Sequence, residues 1–99
     1  MRYPTRMDLV IRHDPAGRRF VAERDGQVAE LTYREHDART LDFNHTYVPA
    51  ALRGGGVAGA LAAHALDWAR ASGRKVVPSC PYVAAYLRKH PEYADLVAG

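Results

Sequence analysis

The sequence predicts an α+β fold in which an antiparallel meander of four strands is followed by a helix, a fifth strand and a second helix. Apolar and polar residues alternate through the first half of the chain, as in half-buried strands. After Pro49 the apolar residues recur three or four positions apart, as on the buried face of a helix. The 99 residues suit one domain over residues 1–99, and the single cysteine cannot form an internal disulfide.

Four short apolar runs make up the meander. The first two strands are expected over residues 8–12 and 19–23, and Asp25-Gly26 is a two-residue hairpin turn before the third. Alternation in the third run puts Ala29, Leu31 and Tyr33 on one face. In the fourth run, which Pro49 ends, alternation puts these residues on one face: Leu41, Phe43, His45 and Tyr47.

The second half predicts helix, strand and helix. A broad apolar stripe indicates a helix over residues 57–72, and Gly73 suits its C-terminal stop. Residues 75–77 are expected to form the fifth strand, which a right-handed crossover makes parallel to the fourth. The second helix is expected over residues 81–90 and a last turn over 92–97.

Three glycines, Gly54, Gly55 and Gly56, open the first helix. Glycine costs about 1 kcal/mol inside a helix, so three together indicate positive φ angles or the close approach of a ligand. The free amides and partial positive charge of a helix N-terminus suit a phosphate. A flexible link without a ligand is the alternative. A dinucleotide fingerprint is disfavoured because antiparallel strands precede the glycines, and the P-loop pattern lacks its Lys-Ser or Lys-Thr.

The segment from His45 to Ala58 resembles the GNAT superfamily of N-acetyltransferases. Arg53-Gly54-Gly55-Gly56-Val57-Ala58 looks like the superfamily's Arg/Gln-x-x-Gly-x-Gly/Ala signature, and it also lies between a fourth strand and a long helix. Residues 45–49, 78–83 and 90–93 are similar to a small, single-domain group of GNAT-like proteins. The resemblance implies a three-layer fold, in which the fourth and fifth strands are parallel and splayed, and acetyl-CoA as the bound coenzyme.

The resemblance also implies which residues bind the coenzyme. The backbone amides after Arg53 hold the diphosphate, and the main chain at the end of the fourth strand binds the pantetheine arm. The implied coenzyme-binding residues are Tyr47, Val48, Arg53, Gly54, Gly55, Gly56, Val57 and Ala58. GNAT proteins often carry a tyrosine on the helix after the fifth strand that protonates the departing thiolate, and Tyr86 resembles it.

Acetyl transfer to an amine needs a neutral amine, a polarised carbonyl and a proton for the leaving thiolate. Cys80 directly precedes the second helix, close to the expected gap between strands, where its thiol can assist or accept the acetyl group. His45, expected across that gap from Cys80, is the candidate base. The alternatives are an inert buried cysteine, a hydrogen-bonded core histidine and, for Tyr86, an aromatic ring packed on the sheet.

One departure from the superfamily affects function. A full GNAT domain has two helices between its first and second strands that help to form the acceptor site, whereas here only residues 14–18 are available. The main hypothesis is therefore an N-acetyltransferase acting on an amine of a small molecule or protein. The alternatives are a non-catalytic acyl-CoA-binding module with a truncated acceptor site and a small basic adaptor.

The remaining features of the sequence limit the possible partners, metals and location of the protein. The net charge of +3 is scattered, which permits nucleic-acid binding without indicating it. No histidine pair has metal-ligand spacing, so no metal site is expected. We expect a cytoplasmic protein, because no apolar run approaches a membrane span and residues 1–6 do not begin a signal peptide. An exposed fifth-strand edge or the missing helices could favour a homodimer.

Overall fold

A computed structural model describes residues 9–98, in which five strands form one mixed sheet in chain order. The strands are β1 (Val10–Asp14), β2 (Arg19–Arg24), β3 (Gln27–Asp37), β4 (Thr40–Tyr47) and β5 (Lys75–Val77). The helices are α1 (Val57–Ala71) and α2 (Pro81–Lys89), with short 3-10 segments at Ala50–Leu52 and Pro91–Leu96. β1 to β4 pair antiparallel and β5 pairs parallel to β4, which confirms the predicted fold class. The predictions for residues 1–6, and for residue 8 of the first strand, lie outside the described residues.

The turn between β2 and β3 has the predicted two-residue form. Arg24 pairs with Gln27, and the two residues between them, Asp25 and Gly26, have φ angles of 52° and 76°. Positive φ at both central positions is the requirement of a type I′ turn, whose twist matches that of the flanking strands. The turn fixes Arg24 at the end of β2.

One face of the sheet forms the core. Paired side chains from neighbouring strands lie on it fully or almost fully buried, among them Phe20 opposite Leu31 and Leu41 opposite Val76. Helix α1 covers these residues with the predicted apolar stripe. Its buried members are Val57, Leu61, Ala62, Ala65, Leu66 and Ala69.

The second helix and the last 3-10 segment add to this core. Val83 and Leu87 of α2, and Leu96 of the last 3-10 segment, belong to the same core cluster as α1. The link from β1 to β2 is a turn over residues 15–18, so no helix lies between these two strands. The opposite face of the sheet carries an exposed ion pair between Arg12 and Glu23, whereas Val21, on the same face, is buried.

An extra residue in β4 changes the alternation of that strand. Tyr33 lies opposite Phe43, and the preceding residue of β3, Thr32, lies opposite His45. Asn44 therefore has no counterpart on β3, which is the definition of a β-bulge. Since directly opposed residues on antiparallel strands share a face, His45 lies on the face opposite to Phe43.

The bulge corrects the predicted faces of β4 beyond Phe43. His45 and Tyr47 do not share the buried face of the strand. Thr46 takes that face, because it lies opposite the buried Leu31. Alternation of period two predicts a face only as long as each residue has one partner, and a single inserted residue reverses every later assignment.

The outer edge of β5 is partly covered. Val97 forms a parallel bridge with Val76, and the amide of Ala98 donates a hydrogen bond of 2.9 Å to the carbonyl of Val76. The exposed fifth-strand edge that was one reason to expect a homodimer is therefore occupied at its centre by the same chain. No helix in residues 9–98 has both the length and the apolar composition needed to cross a membrane.

Candidate functional site

β4 and β5 separate after a short parallel ladder. Their pairing ends where Asp42 lies opposite Val77, although β4 continues to Tyr47. One further hydrogen bond, 2.9 Å long, joins the Cys80 amide to the Phe43 carbonyl. α2 then begins, so the last residues of β4 run past the end of β5, as the predicted splay requires.

The turn before α1 has the conformation that its glycines predict. Gly54 and Gly56 have φ angles of 83° and 76°, and Gly56 is the N-cap of α1 without a side-chain cap. The first helical hydrogen bond runs from the Ala60 amide to the Gly56 carbonyl, over 3.0 Å. Within residues 9–98 the amides of residues 54–59 donate no hydrogen bond, so six N–H groups are free at a helix N-terminus.

A pocket of about 170 Å³ lies between this turn, the end of β4 and the first turn of α2. Its lining residues are Val48, Leu52, Arg53, Gly54, Gly56, Val57, Ala58, Gly59 and Tyr82. Six of the eight residues predicted to bind the coenzyme are among them, whereas Tyr47 and Gly55 are not. The lining combines apolar side chains with backbone amides, which suits a diphosphate attached to a less polar arm.

Arg53 joins the end of β4 to the glycine turn. Its Nε donates a hydrogen bond of 2.9 Å to the Val48 carbonyl. The predicted main-chain site at Val48 thus already has one partner, although a carbonyl oxygen can accept two hydrogen bonds. The roles predicted for Tyr47 and Val48 toward the pantetheine arm stay predictions.

Two buried side-chain atoms in the described residues lack a hydrogen-bond partner, Arg24 Nε and Asp42 Oδ1. Arg24 Nη1 lies 3.5 Å from the position that a Cβ on Gly55 would take. Asp42 is the last residue of β4 that pairs with β5. Because buried polar atoms are normally paired, these two atoms are exceptions in the hydrogen bonding of the described residues. No local pattern pointed to Arg24, which the sheet brings beside Gly55.

Cys80 lies where predicted, at the N-cap of α2 and 4% exposed. Its Sγ is 3.5 Å from the hydroxyl of Thr46, across the separation of β4 and β5. His45, expected to lie across the gap from Cys80, is exposed on the other face of the sheet because of the bulge. Thr46 is the residue that sequence reasoning missed here.

Tyr82 and Tyr86 lie one helical turn apart on α2 and both approach Gly59. A Cβ on Gly59 would be 3.6 Å from Tyr82 Oη and 3.8 Å from Tyr86 Cε2. Burial, with smaller effects of nearby negative charges, raises the pKa of Tyr86, so its phenol stays protonated at neutral pH as a general acid requires. Burial also raises the pKa of Tyr82, which lines the pocket, whereas Tyr86 stacks on His90 with ring centroids 3.9 Å apart.

Together these residues provide free amides for an anion, an apolar pocket, a thiol and two phenols around the separation of two strands. Residues 9–98 contain no group of three or more His, Cys, Asp or Glu side chains that could hold a metal ion. The arrangement fits the binding of an anionic group that carries a less polar arm.

Known proteins are similar to this chain in sequence and in fold. The model of the family described as GCN5-related N-acetyl-transferase matches residues 19–96. Protein NATD1 of Gallus gallus is 35% identical over 85 residues, covering 84% of this chain and 77% of that protein. Protein NATD1 of Danio rerio is 31% identical over 93 residues, covering 90% and 84%. The NMR structure of a GCN5-like protein from Staphylococcus aureus has a TM-score of 0.71 at 26% identity, covering 97% of this chain and 92% of that one. The chain therefore belongs to the GCN5-related N-acetyltransferase family.

Proposed function

We propose that the protein transfers the acetyl group of acetyl-CoA to an amine. The observation that carries the proposal is the row of free amides at residues 54–59, at the N-terminus of α1 and beside a pocket. Such a terminus attracts anions through its free N–H groups and its partial positive charge. A coenzyme diphosphate supplies the acceptor oxygens that these amides lack.

The fold suggests how the rest of the coenzyme is oriented. With the diphosphate at the glycine turn, the pantetheine arm runs from the pocket along the part of β4 that extends past β5. Its thioester then lies near the point where β4 and β5 separate, beside Cys80 and Thr46. This orientation brings the reacting carbonyl next to the only thiol of the chain.

In the direct reaction the amine nitrogen attacks the thioester carbonyl, the C–S bond breaks and the amide bond forms. The amine loses one proton to a base, and the departing thiolate gains one. Tyr86, protonated at neutral pH, is the proposed acid. The amine approaches from the face of the sheet that carries His45, whose exposed side chain is available as the base.

Cys80 offers a second route with the same overall balance. Its thiolate attacks the thioester, the coenzyme leaves as a thiol after protonation, and acetyl-Cys80 then passes the acetyl group to the amine. The contact of its Sγ with the Thr46 hydroxyl places a hydrogen-bond donor beside the reacting sulfur.

One observation favours a second function, that of a non-catalytic acyl-CoA-binding module. Residues 9–98 place no helix between β1 and β2, on the side where such helices would help to form the acceptor site. Coenzyme binding does not depend on that side, because the free amides and the pocket adjoin the helices.

Calorimetry with acetyl-CoA, followed by mass spectrometry, tests the proposal. We expect binding, then transfer to at least one member of a panel of small primary amines and lysine peptides. Cys80→Ser separates the two routes, since full transfer by this variant would exclude acetyl-Cys80 as an intermediate. Binding without any transfer would support the module, and no affinity for acetyl-CoA would refute both functions.

A further inference from the structure

We infer that Arg24 is the charged ligand of the coenzyme diphosphate, reaching the glycine turn from the β2–β3 hairpin. The inference rests on the proposed function, because the diphosphate is that of acetyl-CoA. The inference adds a side chain outside the signature in residues 53–58. Strands β3 and β4 lie between Arg24 and that signature along the chain.

The placement of Arg24 depends on the sheet. It is the last residue of β2, held by its pairing with Gln27 across the hairpin turn. Its Nη1 lies 3.5 Å from the Cβ position of Gly55. Gly54 and Gly56, on either side of Gly55, line the pocket and have free amides. The guanidinium therefore lies against the segment whose N–H groups lack acceptors.

The hydrogen bonding of Arg24 is incomplete. Its Nε is buried without a partner, and no carboxylate in residues 9–98 forms an ion pair with it. Arg19, on the same strand, shows the contrast, because Asp14 and Glu30 both pair with it. A guanidinium stays charged at any physiological pH, and a buried donor without an acceptor is costly.

A diphosphate would bond the terminal nitrogens of this guanidinium, because Nε itself is fully buried. Phosphate oxygens accept paired hydrogen bonds from a guanidinium, and such charge-assisted bonds are the stronger kind. Arg53, the other arginine at the turn, already donates its Nε to the Val48 carbonyl. The anion would thus meet amides from the turn and a positive charge from the hairpin.

Calorimetry with coenzyme A and dephospho-coenzyme A, which keeps the diphosphate but lacks the 3′-phosphate, tests the assignment. Arg24→Gln should weaken the binding of both ligands by roughly 10- to 100-fold, the loss expected for hydrogen bonds to charged groups. Arg24→Lys keeps the positive charge but cannot form paired hydrogen bonds, so its affinity should lie between those of the wild type and Arg24→Gln. Arg39→Gln, an equal charge change at the exposed β3–β4 turn, should leave affinity unchanged.

The melting temperature of the free protein separates a structural role from a ligand role. Because Arg24 Nε has no partner to lose, free Arg24→Gln should melt close to the wild type. Equal affinity of wild type and Arg24→Gln for coenzyme A would overturn the inference and leave the proposed function intact. A loss confined to coenzyme A, absent with dephospho-coenzyme A, would also overturn it, by assigning Arg24 to the 3′-phosphate. No binding of coenzyme A by the wild type would overturn both.

Discussion

Gly56 and Gly73 form a matched pair for testing the glycine turn. Gly56 precedes α1 and Gly73 follows it, with φ angles of 76° and 72°. An added Cβ meets no atom within 4 Å at either position. Alanine at each position therefore imposes the same backbone strain without a clash, but only one of the two lies at the proposed coenzyme site.

The cost to stability follows from the backbone. The left-handed conformation lowers the free energy of unfolding by about 1–2 kcal/mol when the residue has a Cβ. Alanine also reduces the entropy of the unfolded chain, which raises the free energy of unfolding by about 0.4–1 kcal/mol. A net loss of about 1 kcal/mol lowers the melting temperature of a domain of this size by roughly 4–8 °C. Gly56→Ala and Gly73→Ala should show similar decreases.

Only Gly56→Ala should lose affinity for acetyl-CoA. The Cβ of Gly56→Ala enters the lining of the pocket, and strain at the turn displaces amides that would bond the diphosphate. Hydrogen bonds to charged groups are worth about 1.5–3 kcal/mol, so we expect at least a roughly 10-fold loss of acetyl-CoA affinity by calorimetry. Gly73→Ala should bind as the wild type does. Equal affinities of the two variants would refute the assignment of the turn to the coenzyme.

Three further predictions concern other parts of the molecule. Burial, with the nearby His64, lowers the pKa of His13 below 6.5, so its contribution to stability is present above pH 6.5 and is lost as the pH falls through the lowered pKa. His64→Gln should move the NMR titration midpoint of His13 upward, and an unchanged midpoint would contradict the assigned cause. Phe43→Ala removes a fully buried ring and should cost about 3–5 kcal/mol in urea unfolding; a loss below about 1 kcal/mol would show that Phe43 is not part of a tightly packed core. Thr46→Val removes the hydroxyl beside Cys80 Sγ and should slow alkylation of that thiol by roughly 2- to 10-fold, whereas Thr46→Ser should not; equal rates would exclude the hydrogen bond.

Much of the fold followed from local patterns. The Asp25-Gly26 turn and the glycines before α1 have the positive φ angles that their residue types predict. The apolar stripe of α1 is buried as its spacing predicts. The family was also recognisable from the sequence, because its signature is a run of adjacent residues. The functional roles carried over from that resemblance stay predictions.

What the sequence by itself determined is the order of the five strands and two helices and the conformation of the Asp25-Gly26 and glycine turns, since these depend on neighbours along the chain. The tertiary structure alone decided which side chains meet. The bulge at Asn44 exists only as a mismatch with β3, and it exchanges His45 for Thr46 opposite Cys80. Arg24 reaches the glycine turn only because the sheet brings the β2–β3 hairpin to it. Contacts between distant segments depend on the register of paired strands, and a single sequence with a period of two cannot reveal where one extra residue shifts that register.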